Sequence, residues 1–296
     1  MISQRVWIAA LAGVAAPLAL SSNPAAAQAL PTPMGFVSHL DLECYRTPGP
    51  SLNKQLMLSH LNPVLRDEHH LPPHLVKIKE LAQTCVPVRK NDAKLPLNAK
   101  QFIEQVDFAC YRLEADPLVP EVDINLTHLN SVLADDLKLP QHSVFLQRPA
   151  QLCLPVAKNG KIPKQEILKL VQYIDLECYD TRPIEPQTFS VTLTQLNPQL
   201  TGILPHTMNL VSEPRQLCVP VRKGAQQIPE DVLGIVQWID LEKFAANPVV
   251  QIAPVSVQLN HLNPLFTDVQ AIGVILQQAV ALMVPVAKDG HMPGED

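Results

Sequence analysis

Histidine, carboxylate and cysteine side chains are the groups here that could hold a metal, move a proton or attack a substrate. His69, His70 and His74 form the one local histidine cluster. Imidazoles at that spacing can ligate a transition metal, or can simply line a polar loop. His60, His128 and His261 occupy a recurring position in the runs Leu58-Ser-His-Leu-Asn62, Leu126-Thr-His-Leu-Asn130 and Leu259-Asn-His-Leu-Asn263, but Gln195 fills it in Leu193-Thr-Gln-Leu-Asn197. A glutamine there argues against an obligatory metal or proton-transfer role and for a hydrogen bond in a turn. His74, His142 and His206 each follow closely on a Leu-Pro pair and read as support for the loop beside a cysteine bridge. The adjacent acids Asp67 with Glu68 and Asp135 with Asp136 read as solvated loop charge, not an acid–base couple. No G-x-S-x-G, Walker, H-E-x-x-H or G-x-G-x-x-G signature occurs, so no catalytic residue and no cofactor is assigned.

The elements that must position these groups come from a four-fold internal repeat. Its first motif is Asp41-Leu-Glu-Cys44-Tyr45, then Asp107-Phe-Ala-Cys110-Tyr111, Asp175-Leu-Glu-Cys178-Tyr179 and Asp240-Leu-Glu-Lys243-Phe244, spaced by 66, 68 and 65 residues. The histidine runs are its second motif. The third is Cys85-Val-Pro87-Val-Arg-Lys90, Cys153-Leu-Pro155-Val-Ala-Lys158, Cys218-Val-Pro220-Val-Arg-Lys223 and Met283-Val-Pro285-Val-Ala-Lys288. Apolar residues alternate at Val122, Ile124, Leu126, at Phe189, Val191, Leu193 and at Val255, Val257, Leu259, the period of half-buried strands. Pro163 to Ile174 and Pro229 to Ile239 instead carry apolar residues at helical spacing behind an N-terminal proline, and Pro96 to Val106 resembles them. The expected fold is therefore mainly β, with four small, sandwich-like β-rich repeats over 30–95, 96–162, 163–228 and 229–296, joined by short helices that cover a sheet face. A further junction helix would have begun near Pro293.

Six cysteines allow 15 pairings. The fourth repeat lacks both cysteines at once, with Lys243 and Met283 in their places. Pairing between repeats would orphan Cys44 and Cys218, whereas pairing within repeats orphans none. Cys44 with Cys85, Cys110 with Cys153, and Cys178 with Cys218 are the predicted bridges. Each closes a loop worth about 4 kcal/mol in the chain-entropy model. If both segments are extended, the aspartate three residues before the first cysteine and the lysine five after the second face away from the bridge. Asp41 with Lys90, and their counterparts, then either form a cross-strand ion pair or stay solvated and contribute about 0–1 kcal/mol. The proline two residues after the second cysteine points to an edge strand.

The first 29 residues read as a Sec signal peptide: Arg5, an apolar run from Val6 to Leu20 too short for a bilayer, and A-x-A sites ending at Ala27 or Ala29. The mature chain is expected in the periplasm or secreted, not membrane-spanning, and to carry its cysteines as disulfides. A net charge of −5, one unit more negative once Arg5 leaves, provides no field for nucleic acid. The 29 prolines against 10 glycines, at 47% apolar and 4% aromatic content, disfavour a helical bundle. Trp238 alone would remain after processing, so a broad aromatic platform for carbohydrate is not expected.

The Cys-Tyr strand, the Val-x-Leu segment and the closing Leu-Cys-x-Pro-Val-x-Lys of Leu152 to Lys158 and Leu217 to Lys223 resemble a repeat domain of unknown function found in exported bacterial proteins. That resemblance spans nearly the whole mature chain and implies an extracytoplasmic, disulfide-bearing β-rich module, with no activity or ligand attached. The function expected from the sequence is a non-enzymatic exported repeat protein, a binding or envelope-structural module for an extracytoplasmic ligand or protein. The alternative is an exported hydrolase or metal-binding protein, with its site at a repeat interface or at the His69, His70 and His74 loop.

Overall fold

The computed structural model describes residues 29–197, 200, 205–266 and 268–294. The expected signal segment falls on residues 1–28, outside them apart from its last residue.

Every Cys-Tyr run and every Cys-x-Pro-Val run is strand, buried on both faces. The strands are β1 (Asp41–Arg46), β2 (Gln55–His60), β3 (His74–Lys90), β4 (Phe108–Glu114), β5 (Val122–His128), β6 (His142–Lys158), β7 (Leu176–Pro183), β8 (Thr188–Gln195), β9 (His206–Lys223), β10 (Leu241–His261) and β11 (Ile272–Lys288). Four short helices precede them in turn: α1 (Pro33–Val37), α2 (Leu97–Ile103), α3 (Gln165–Val171) and α4 (Glu230–Val236). The order of helix, short strand, middle strand and long strand thus occurs four times, the first two strands of the last segment running on as β10.

The chain is mainly β, in one antiparallel sheet of 11 strands. The sheet differs from the sandwich-like units expected, because each segment's strands pair with those of others. β1 pairs β3, β3 pairs β4, and pairing continues through β6, β7, β9, β10 and β11 back to β1, closing an eight-stranded ring. Closure removes the free edges that separate units would expose. Outside this ring each middle strand makes two partners. β2 pairs its own β3 and also β9, while β8 pairs its own β9 and also β3. β5 bridges β6 and β11, and the end of β10 bridges β11 and β6. Segments one and three thus clasp each other, as do two and four.

The motif prolines do not mark edge strands. Up to Cys85 one side of β3 is paired with β4, and from Val88 it is paired with β8. Pro87 lies at the changeover, where a missing N–H breaks no ladder, and its carbonyl accepts from Leu196 N at 3.0 Å. Pro155, Pro220 and Pro285 accept in the same way from Leu262, Leu61 and Leu129.

Two faces of the ring follow from strand periodicity. The cysteine face is bridged as expected, Cys44–Cys85, Cys110–Cys153 and Cys178–Cys218, each pair directly opposite across two strands. Lys243 and Met283 stand opposite each other at the fourth position. The cysteines and Met283 share one buried core with Phe36, Phe102, Leu170 and Ile235 of the helices. The helices touch in a cycle, α1 with α2, α2 with α3, α3 with α4 and α4 with α1, and so cover that side of the sheet.

On the opposite face the aspartates and lysines are buried, and the solvated alternative does not hold. Asp41 binds Lys90, Asp107 binds Lys158, Asp175 binds Lys223 and Asp240 binds Lys288. Burial pushes each aspartate up and each lysine down, and the partner's charge opposes both shifts. The motif asparagine of the next segment donates to each carboxylate: Asn130 to Asp41 at 3.4 Å, Asn197 to Asp107 at 3.0 Å, Asn263 to Asp175 at 3.2 Å and Asn62 to Asp240 at 2.8 Å.

Candidate metal centre

The clasp between alternate segments brings the histidines to carboxylates. In each clasp the middle strand's last residue and the long strand's first residue, from one segment, meet two first-strand residues of the segment two places away. The four meetings share a plan and differ in chemistry.

In the first clasp, His60 and His74 meet Glu177 and Tyr179. His74 Nε2 lies 2.8 Å from Glu177 Oε1. Tyr179 donates its hydroxyl proton to Glu177 Oε2 at 3.0 Å and lies 3.2 Å from His60 Nε2. Since that one proton is spent on the carboxylate, the hydroxyl accepts from His60 Nε2–H, which leaves His60 Nδ1 as a buried lone pair with no hydrogen-bond partner. One ligand atom from each of His60, His74 and Glu177 lies within 4.8 Å of the others.

The tautomer of His74 matters most here. Its Nδ1 lies 3.4 Å from the Pro72 carbonyl at the exposed edge of the site. When Nδ1 carries the proton of the neutral ring, Nε2 points a lone pair at the Glu177 carboxylate, the tautomer in which a metal ion can bridge the two. Burial lowers the affinity of His74 for a proton, but the hydrogen bond and charge of Glu177 outweigh it and the net shift is upward. His60 is pushed down to about 3 by burial, with the His74 and Lys288 charges adding to it, and so stays neutral as a ligand must. Burial beside Glu177 holds the Tyr179 phenol protonated. A cavity of about 470 Å³ opens on the cluster, lined by His60, His74, Tyr179, Leu118 and Pro149.

The second clasp joins His128 and His142 to Glu242, also within 4.8 Å, with Phe244 in place of the tyrosine. His142 Nε2 is 3.0 Å from Glu242 Oε1, and Arg215 donates to the same oxygen at 2.5 Å. The third joins His206 and Gln195 to Glu43, and the Gln195 amide donates to Glu43 Oε2 at 2.6 Å. The fourth retains His261 and Tyr111, 2.9 Å apart, but Ile272 and Ala109 stand where the others have histidine and glutamate. Two imidazoles and a carboxylate suit a divalent transition metal. Among the described residues, the first and second clasps alone gather that set.

The three histidines of the sequence-predicted loop all line the cavity on the first clasp. His69 pairs with Asp289 at 2.8 Å, His70 has a positive φ of 52°, and of the three His74 joins the group with His60 and Glu177. His60, His128 and His261 do not serve turns of their own; they contact Tyr179, Gln187 and Tyr111 of other segments. The glutamates escaped the sequence reading. Their signal was present in the Asp-Leu-Glu motif, where Ala109 marks the one repeat without the glutamate.

No family model, curated protein or solved structure matches the chain, so its chemistry rests on this geometry. Among the described residues no helix is long and apolar enough to cross a membrane.

Proposed function

We propose that this chain is an exported, non-catalytic binding protein that holds one divalent transition-metal ion between segments one and three, on His60, His74 and Glu177. The observation that carries the reading is the 2.8 Å approach of His74 Nε2 to Glu177 Oε1 with the other imidazole nitrogen turned to a carbonyl. An ion between His74 and Glu177 would be held by buried His60 and Glu177 and by half-buried His74, with the Tyr179 hydroxyl fixing the carboxylate from behind, as supporting groups do around metal ligands. The adjoining cavity supplies an entry path. Three disulfides suit a periplasmic or secreted protein, in line with the signal segment read from residues 1–29. The cavity over the metal-bearing clasp, which His69 and His70 also line, is then the surface through which a ligand or partner would be recognised.

The test is titration of the untagged, oxidised protein with Co²⁺ and Zn²⁺, followed by visible absorption and calorimetry. Saturable binding in the micromolar range or tighter, lost in His74→Ala and Glu177→Gln variants that still melt cooperatively, is expected. Equal binding by those variants, or none by the wild type, overturns the reading. The cavity favours a second reading, the exported hydrolase. Turnover of an ester or peptide panel by the loaded protein, abolished in Glu177→Gln, would select it.

A further inference from the structure

The second His–His–Glu cluster looks like a duplicate of the first, yet it carries hydrogen bonds from Gln187 and Arg215 that the first lacks. The Gln187 amide donates through Nε2 to His142 Nδ1 at 3.0 Å, closer than the Pro140 carbonyl at 3.4 Å. His142 Nδ1 is therefore an acceptor, and Nε2 carries a proton that it donates directly to Glu242 Oε1. His74 Nδ1 has no such amide donor against it, so its Nε2 is free to present a lone pair, whereas that of His142 is committed to Glu242. Gln187 also takes the other histidine, His128 Nε2 donating to its Oε1 at 3.4 Å.

The carboxylate is neutralised as well. Arg215, fully buried, donates to Glu242 Oε1 at 2.5 Å and to the Glu185 carbonyl at 3.1 Å. Strand register shows that this arginine belongs to the second cluster alone. Glu242 lies opposite Leu217, Glu177 opposite Leu152 and Glu43 opposite Leu282. Two residues before those partners stand Arg215, Ala150 and Val280. Glu177 thus has alanine where Glu242 has a guanidinium.

We infer that Arg215 and Gln187 have taken the metal's place between segments two and four, so that the chain binds one ion, not two. A divalent ion there would have to share Glu242 with a fixed positive charge in a dry site. The inference rests on the metal reading of the first cluster and concerns only the selectivity between the two.

Zn²⁺ titration of the wild type, His142→Ala, His74→Ala and the Arg215→Ala/Gln187→Ala double variant tests it. The expected stoichiometries are one, one, none and two, with the second site of the wild type at least 100-fold weaker than the first. A wild type that binds two ions within tenfold of each other, one of them lost in His142→Ala, overturns the inference and leaves the metal reading intact. A double variant that melts cooperatively and stays at one ion also overturns it. A wild type that binds no ion overturns the metal reading itself. Should the double variant not fold, the wild type and His142→Ala still decide.

Discussion

Asn62 donates to Asp240 across 178 residues of chain, Nδ2 to Oδ2 at 2.8 Å, and so makes the last segment answer to the first. The other three asparagines reach back one segment, and this bond completes the cycle. The Asp240 carboxylate also binds buried Lys288. Asp240→Ala, which leaves that ammonium without its counter-ion, should cost about 3–5 kcal/mol. Asn62→Ala should cost about 1–3 kcal/mol, the usual penalty for a buried group left unpaired. Urea denaturation midpoints of the two variants measure both, and equal losses would show that the ion pair adds nothing.

The bridge between Cys110 and Cys153 spans 43 residues and lies in the same core as the helices. Replacing both cysteines by alanine should cost about 4 kcal/mol, provided loop closure in the unfolded chain dominates. Thermal melts under non-reducing conditions check the loss.

Lys243 and Met283 face each other in the same register as Cys44 and Cys85. The double substitution Lys243→Cys/Met283→Cys should therefore form a fourth bridge on air oxidation, seen as the loss of two hydrogens in the intact mass, and should raise the melting temperature. Two free thiols in the folded product would refute the equivalence.

Lys243 is buried where the other segments have cysteine, and its Nζ donates to the Gln151 and Gln216 side-chain oxygens. Burial pulls its pKa down to about 7 from an ordinary 10.5, with Asp180 opposing weakly. The unfolded chain then holds the proton to higher pH than the folded one does. Stability should rise as pH increases from 7 to 10.5 and be flat below, by up to about 5 kcal/mol at 1.36 kcal/mol per unit. Lys243→Met should remove that slope and be more stable at pH 7, as denaturation midpoints across the range would reveal.

Glu177 and Glu242 are equally buried but differently countered, by a histidine in one case and by a histidine with Arg215 in the other. In the metal-free protein, Glu177→Gln should change stability by less than about 1.5 kcal/mol, because His74 can revert to its neutral form. Glu242→Gln leaves Arg215 buried without a counter-ion and should cost about 3–5 kcal/mol. Similar costs in chemical denaturation would contradict the distinction between the two clusters.

Local and periodic features were legible before folding. Alternation marked the strands at Ile124, Leu126, Val191 and Leu193, and helical spacing marked Ile167, Leu170 and Val171. The paired absence of cysteines at 243 and 283 selected the bridges. Each of these depends on residues whose relations are preserved within one segment, so repetition alone displays them. Strand parity likewise placed Asp41 and Lys90 on one face, though it left their burial open.

What parity and periodicity do not carry is which segment lies against which. Sheet pairing is decided where open edges would otherwise remain, and the ring satisfies them only by closing β11 onto β1 and laying each middle strand on the long strand two segments away. That choice turned the motif prolines from edge markers into changeover points. It also set His60 and His74 beside Glu177, 103 residues from His74, and gave Arg215 to one glutamate alone. The donors are written in the chain one by one, but their meeting is a property of closure.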